Sequence, residues 1–247
     1  MFLLKDDVWE IKPTGKKGRG IFAKKDIPAG IVIGDYIGKV VHESEEDKYD
    51  NGKHSYLMYY HAKASIAPDP KNPGIHLINH SCSPNAWMHT YYGHTLYFAL
   101  RHIFPGEEIT VSYLLDPQDK DCNPCAHLCH CNSMICTGTM HLTEKRYRKW
   151  EAFDDVMEKK TKRQRVKKYN VNLPLLPSYP ENIADNPIYT LMGYTEVSPQ
   201  EREDTKTPSI EELRKNIRES GKTLAFQNLN LHVFGIWDEK IIAKPLR

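Results

Sequence analysis

Five of the six cysteines fall within one polar stretch, "CNPCAHLCHCNSMIC", running from Cys122 to Cys136. So few large apolar residues cannot enclose a core, so cross-links must hold whatever shape this segment takes. The N-terminus "MFLLKDDVWE" lacks a signal-peptide core and a cleavage site. That points to an intracellular, reducing setting, where clustered thiols bind metal rather than pair with one another. The spacing Cys129-x-Cys131-x4-Cys136 puts three thiolates on a short loop. Such a loop suits a tetrahedral zinc ion and leaves one vertex open.

The sixth cysteine, Cys82, lies far away in "HLINHSCSPN", His76 to Asn85. There an apolar run ends in Asn79, His80, Ser81 and Cys82 side by side, then a Ser-Pro-Asn turn. Polar groups held at the end of a buried run need partners, because an unpaired buried donor or acceptor is costly. An amide, an imidazole and a thiol kept together in this way mark a site.

Around these two stretches the chain divides in half. From Trp9 to about Tyr113 it reads as short strands between turns. "GRGIFAKKDIPAGIVIGDYIGKVV" clusters Ile, Val and Tyr between glycines, and "HTLYFALRHIFPGEEITVSY" reads as strand, Pro105-Gly106 turn, strand. Glu43 to Asn51 suits a turn or a short helix. After the cysteines, "TEKRYRKWEAFDDVMEKKTKRQRVKK" predicts a charged helix capped by Thr143, with Tyr147, Trp150, Phe153 and Met157 at helical spacing. "LPLLPSYPENIADNP", Leu173 to Pro187, is proline-rich and suits an extended path across a surface. "PSIEELRKNIRESG" predicts a second helix, with Ser209 and Glu212 as a capping box and Gly221 at its end. Leu229, Leu231 and Val233 alternate like a strand. Trp150, Phe153, Phe226, Val233 and Trp237 make residues 143–247 too apolar for a free tail.

With 34 basic against 32 acidic residues, the net charge of +2 gives no bulk attraction to nucleic acid, so any basic surface is local. The local candidate is "KKTKRQRVKK", Lys159 to Lys168. It is either a nuclear-localisation or nucleic-acid patch, or a solvated helix end whose cations suit the helix dipole. No apolar run is long enough to span a bilayer, so no membrane partner is expected.

Five pieces, in order, resemble the SET-domain protein lysine methyltransferases. "GKKGRGIFA" (Gly15 to Ala23) is similar to that family's first glycine motif, and "GDYIGKVV" (Gly34 to Val41) to its Tyr-x-Gly strand. "INHSCSPN" (Ile78 to Asn85) resembles its Asn-His-Ser-Cys-x-Pro-Asn signature. "GEEITVSY" (Gly106 to Tyr113) resembles the strand ending in its catalytic tyrosine. Cys129 to Gly138 resembles its post-SET zinc segment. The resemblance covers roughly residues 9 to 142. It implies a mainly β SET fold, with several small sheets and a pseudoknot, over residues 1–115. A post-SET cysteine-rich zinc segment would occupy 116–142, and a mixed α/β C-terminal extension of unknown function 143–247.

The resemblance also implies chemistry. The reaction would be S-adenosylmethionine-dependent methyl transfer to the side-chain amine of a protein lysine, with a histone tail as substrate and a nuclear or chromatin setting. Backbone around Lys17, Gly18 and Arg19 would touch the donor. Asn79 and His80 would bind its amino and adenine groups, and Tyr56 would line the same pocket. Cys82 would complete the structural zinc site of Cys129, Cys131 and Cys136. Tyr113 would stand at the methyl-transfer pore, with Tyr36 as the second wall of the lysine channel. Methyl transfer is an in-line displacement that rests on position and desolvation, so few groups suffice.

The sequence departs from the family in places. His76 stands where the signature usually opens with a basic residue such as Arg. Val111, two before Tyr113, replaces the usual Phe or Tyr, and the smaller side chain leans toward higher methylation. Cys122 and Cys125, with His127 and His130, form an additional Cys-x2-Cys that either makes a second zinc site or exchanges with the three cysteines. Two other functions remain open: a catalytically silent SET-fold peptide-binding module and a zinc-dependent nucleic-acid-binding protein.

Overall fold

The computed structural model describes residues 1–50, 55–120, 122–133, 136–148, 150–152 and 168–183. The helix expected at Ser209 to Gly221, the strand around Leu229 to Val233, Phe153 and all of the basic run but Lys168 lie outside the described residues. In chain order the strands are β1 (Trp9–Pro13), β2 (Arg19–Ala23), β3 (Val32–Asp35), β4 (Lys39–His42), β5 (Met58–His61) and β6 (Ala64–Ala67). They continue with β7 (Asn79–His80), β8 (Ala86–Tyr91), β9 (His94–Ala99), β10 (Glu108–Val111) and β11 (Val171–Asn172). Three small sheets result, ordered β1-β2-β10-β7, β11-β4-β6-β5 and β3-β9-β8. Where the sequence suits a turn or short helix after His42, a 3-10 helix spans Glu43–Lys48.

The first sheet positions the site. β1 and β2 form a hairpin around Gly15–Lys17, and Gly18 at its end takes φ +80°, a left-handed conformation that glycine adopts without a steric penalty. Thr14 closes the hairpin, its N–H and hydroxyl both donating to the Gly18 carbonyl at 2.7 and 3.1 Å. β10 pairs antiparallel with β2, setting Ile109 opposite Ile21, and both side chains are fully buried. The two-residue β7 lies parallel to the other edge of β10, with Asn79 beside Thr110 and His80 beside Val111. Asn85 secures this pairing. It is 3% exposed, donates from Nδ2 to the Glu108 carbonyl at 2.9 Å and accepts at Oδ1 from the Thr110 N–H at 2.8 Å. The aliphatic residues leading into the signature, Ile75, Leu77 and Ile78, enter the main core with Ile21, Ile33, Ile66 and Ile109. Burying each of these side chains contributes roughly 1.5–3 kcal/mol.

After the cysteine segment the backbone is helical at 144–148 and 150–152. Thr143 starts it as the sequence predicts, its hydroxyl accepting from the Arg146 N–H at 3.4 Å. Tyr147 and Trp150 pack on a second core formed by Val32, Trp87, Leu96, Phe98, Leu100, Leu142 and Ile183. Residues 168–183, which include most of the proline-rich stretch, then strap back over the β-rich half. β11 adds to β4 with Val171 opposite Val40, Leu173 buries its side chain in the main core, and Ile183 donates its N–H to the Gly30 carbonyl at 3.0 Å. Within the strap, the Tyr179 hydroxyl reaches the buried Asp35 carboxylate at 2.8 Å, and that same oxygen lies 2.6 Å from Nδ1 of His94.

Candidate active site and metal centre

The geometry begins with Asn79. Its side-chain amide donates to the Arg19 carbonyl at 3.0 Å and to Oε1 of Glu108 at 2.8 Å. Glu108 in turn pairs through its other oxygen with the Lys17 ammonium, and both side chains are largely sheltered. Lys17, Gly18, Arg19 and Asn79 therefore meet at one corner, and Glu108 joins them. Gly20 lets these groups pack closely. A Cβ would lie 2.6 Å from Glu108 Oε1 and 2.8 Å from both Asn79 Nδ2 and Thr14 Cγ2. A side chain cannot be added without moving the amide and carboxylate.

His80 sits beside it and is 5% exposed. Its Nδ1 accepts from the Tyr113 N–H at 3.1 Å, and its ring meets that of Tyr113 edge-on with centroids 5.4 Å apart. Burial holds the imidazole down at about 4, so it is neutral near pH 7 and free to accept. The Tyr113 hydroxyl donates to the Ile78 carbonyl at 3.1 Å. Although 37% of Tyr113 is open to solvent, its phenol end is enclosed, and burial pushes it above the ordinary tyrosine range. Tyr36 is 4% exposed, and its hydroxyl donates to the Tyr56 carbonyl. Burial first, then the neighbouring Tyr113 and Tyr56, raise the Tyr36 phenol as well. Tyr97, stacked on Tyr36 at 6.2 Å, is a fourth phenol in this wall. Tyr56 stands with this group, its ring edge-on to His76 at 5.2 Å. Burial holds the His76 imidazole down at about 4, so a neutral ring occupies this position.

The thiols come together, Cys129, Cys131 and Cys136 as their spacing predicts and Cys82 as the resemblance implies. The sulfurs of Cys82, Cys129, Cys131 and Cys136 all lie within 4.8 Å of one another. Cys82 Sγ is 3.7 Å from Cys129 Sγ. A tetrahedral zinc with ~2.3 Å bonds to sulfur requires a sulfur–sulfur separation of ~3.8 Å. The neighbouring Cys82 thiol holds Cys131 down, while the Cys82 thiol itself is pushed up and burial raises Cys129. Four sulfurs this close cannot all carry charge unless a cation sits among them, and a zinc ion fits that donor set. The position of Cys82, two residues after His80, links the thiol group to the Tyr113 site.

Beyond the roles assigned from sequence, Glu108, Asn85 and Thr14 also take part in this corner. Glu108 was legible only as the second acid of "GEEITVSY", where strand alternation sets it opposite the face of Ile109. Asn85 was visible as the last residue of the signature, but the backbone groups that it satisfies were not.

The SET domain family matches residues 18–114. The histone-lysine N-methyltransferase Set2 of Drosophila melanogaster is 34% identical over 135 residues, covering 51% of this chain and 6% of the fly protein. An H3 lysine-36-specific histone-lysine N-methyltransferase of Eremothecium gossypii is 36% identical over 135 residues, 51% of this chain and 19% of its own length. A variant-silencing SET domain-containing protein of Plasmodium falciparum is 36% identical over 118 residues, 42% of this chain and 5% of its own. The chain spans less than a fifth of the length of each of these relatives.

Proposed function

We propose, from a chain whose residues 18–114 match the SET domain and which resembles histone-lysine N-methyltransferases over about half its length, that it methylates the side-chain amine of a lysine in a histone. H3 is the first substrate to test, because the Eremothecium relative is named for it. A histone substrate places the chain in the nucleus or on chromatin. No helix among the described residues is long and apolar enough to cross a membrane.

The observation that carries the proposal is the placement of Tyr113. Its backbone N–H is held by His80, its hydroxyl by the Ile78 carbonyl, and Tyr36 and Tyr56 stand near its phenol end. S-adenosylmethionine, when bound, supplies an electrophilic methyl group. Lys17, Gly18, Arg19, Asn79 and His80 are the groups assigned to hold it, and Cys82, Cys129, Cys131 and Cys136 those assigned to a structural zinc ion. The chain's own contribution to catalysis is position and desolvation. Burial keeps both Tyr113 and Tyr36 as neutral phenols, each with its proton committed to a backbone carbonyl. Their oxygens retain lone pairs that can accept from an incoming amine. Withdrawal of the amine from water disfavours an ammonium ion, so the lysine would arrive closer to its reactive, uncharged form.

The test is incubation of the chain with labelled donor, a panel of histones and a cell extract. Label recovered as methyl-lysine on one protein supports the proposal. Donor binding by calorimetry with no transfer to any protein would replace it with a silent peptide-binding module.

A further inference from the structure

We propose that Cys122, Cys125, His127 and His141 bind a second zinc ion, separate from the four-cysteine centre. The ion would fasten the backbone that leaves Tyr113 to the segment that returns to the core at Leu142. One ligand atom from each residue lies within 4.8 Å of the others, and the two groups share no residue. Cys122 Sγ is 3.5 Å from His127 Nδ1 and 3.4 Å from His141 Nε2. Bonds of ~2.3 Å to sulfur and ~2.0–2.1 Å to nitrogen in a tetrahedron require a sulfur–nitrogen separation of ~3.6 Å. The donors are therefore already spaced as that ion would hold them. Two thiolates with two imidazoles in a tetrahedral arrangement select zinc over magnesium or calcium, which take oxygen ligands.

A second observation bears on His141. Its Nδ1 is 2.6 Å from the Asp116 carbonyl. A carbonyl only accepts, so Nδ1 must carry the proton, and Nε2 presents a lone pair toward the Cys122 sulfur. This is the arrangement in which a partner on one ring nitrogen orients the other as a metal ligand. The sequence pattern had offered His130 as the fourth member; His141 takes that place instead. It does so because Leu115 and His141 form a parallel bridge and the Leu142 N–H donates to the Leu115 carbonyl at 3.0 Å, which folds the end of the segment back onto its start.

The need for a cross-link is plain from the burial. Among the described residues from 116 to 133, Cys129 alone is buried, and none belongs to a regular strand or helix. Single bridges, Leu115 to His141 and Leu128 to Thr139, and hydrogen bonds such as Met140 N–H to the His127 carbonyl at 2.9 Å outline the segment. Without an apolar core such contacts do not offset the entropy of ordering the chain, whereas a metal centre does. The consequence reaches the site. Tyr113 lies between two fastened points, His80 next to Cys82 on one side and Asp116 next to His141 on the other.

The inference does not depend on methyl transfer, and its test reads metal directly. The full chain is purified without a polyhistidine tag, dialysed against metal-free buffer, and its zinc is counted by mass spectrometry. Two zinc ions per chain are expected. X-ray absorption at the zinc edge averages a four-sulfur site with a two-sulfur, two-nitrogen site, so about three sulfurs and one nitrogen per zinc are expected. The double variant Cys122→Ser with Cys125→Ser, and separately His141→Ala, should each fall to one zinc with sulfur ligands alone. One zinc per wild-type chain in an all-sulfur environment overturns the proposal. So does a second zinc that persists in both variants. If the variants fail to fold, the wild-type count and its nitrogen signal decide the matter alone.

Discussion

Replacing Asn85 with alanine tests whether the short parallel pairing of β7 and β10 is what sets the site. The Asn85 side chain is the sole side chain of the signature that bridges two backbone groups of β10, the Glu108 carbonyl and the Thr110 N–H. Thr110 is 8% exposed and Asn85 3%, so water cannot readily replace the lost amide. Leaving a buried donor or acceptor unsatisfied costs ~1–3 kcal/mol per group. With two groups affected, and some relaxation of the surroundings, the expected loss is about 3 kcal/mol. For a chain of this size each kcal/mol shifts the melting temperature by ~2–4 °C, so a fall of about 6–12 °C is expected. Denaturant unfolding followed by tryptophan fluorescence gives the free energy, and a thermal scan gives the shift. Donor affinity should weaken in parallel, since β10 also carries Glu108 and leads into Tyr113. A destabilisation below about 1 kcal/mol would refute the reasoning, because Asn85 would then be dispensable to the pairing.

Gly20→Ala should leave the fold largely intact, yet weaken donor binding roughly tenfold or more, about 1.4 kcal/mol, by pushing the Asn79 amide and Glu108 carboxylate aside; calorimetry measures it. Cys82→Ser should remove one zinc per chain and abolish turnover while circular dichroism still reports the β core. An unchanged zinc count would contradict the four-cysteine assignment. Leu173→Ala should destabilise the whole protein by about 2–4 kcal/mol, because its side chain fills the main core from the returning strap. Unfolding that is unaltered would make residues 168–183 a dispensable covering.

Much of this was legible in the sequence, and for identifiable reasons. Cysteine spacing is a local property, so Cys129, Cys131 and Cys136 could be grouped directly, and the order of the five motifs supplied Cys82. Strand alternation and the Pro105-Gly106 turn placed β9 and β10, since those signals also act over a few residues. What escaped was set by partners distant in the chain. Glu108 contacts Lys17 and Asn79, Asn85 serves β10, and His141 meets Cys122 across the length of the segment. A two-residue strand such as β7 has no periodicity to detect, and it exists because Ile75, Leu77 and Ile78 bury themselves and deliver Asn79 and His80 to the edge of β10. The proline-rich stretch from Leu173 to Pro187 reads as merely extended in sequence, because prolines give no sign of the core beside which such a segment will lie.

The central claim, that Tyr113 is positioned for methyl transfer while Asn79 serves the donor, is tested most directly by comparing Tyr113→Phe with Asn79→Ala. Turnover and donor binding are measured on the same preparations, with the histone found to accept label. Tyr113→Phe removes one hydroxyl from an enclosed phenol, so donor affinity should hold while the rate falls about a hundredfold, on the order of 3 kcal/mol of transition-state stabilisation. Asn79→Ala should weaken donor affinity along with turnover. A Tyr113→Phe protein with unimpaired turnover would contradict the account, whatever its fold.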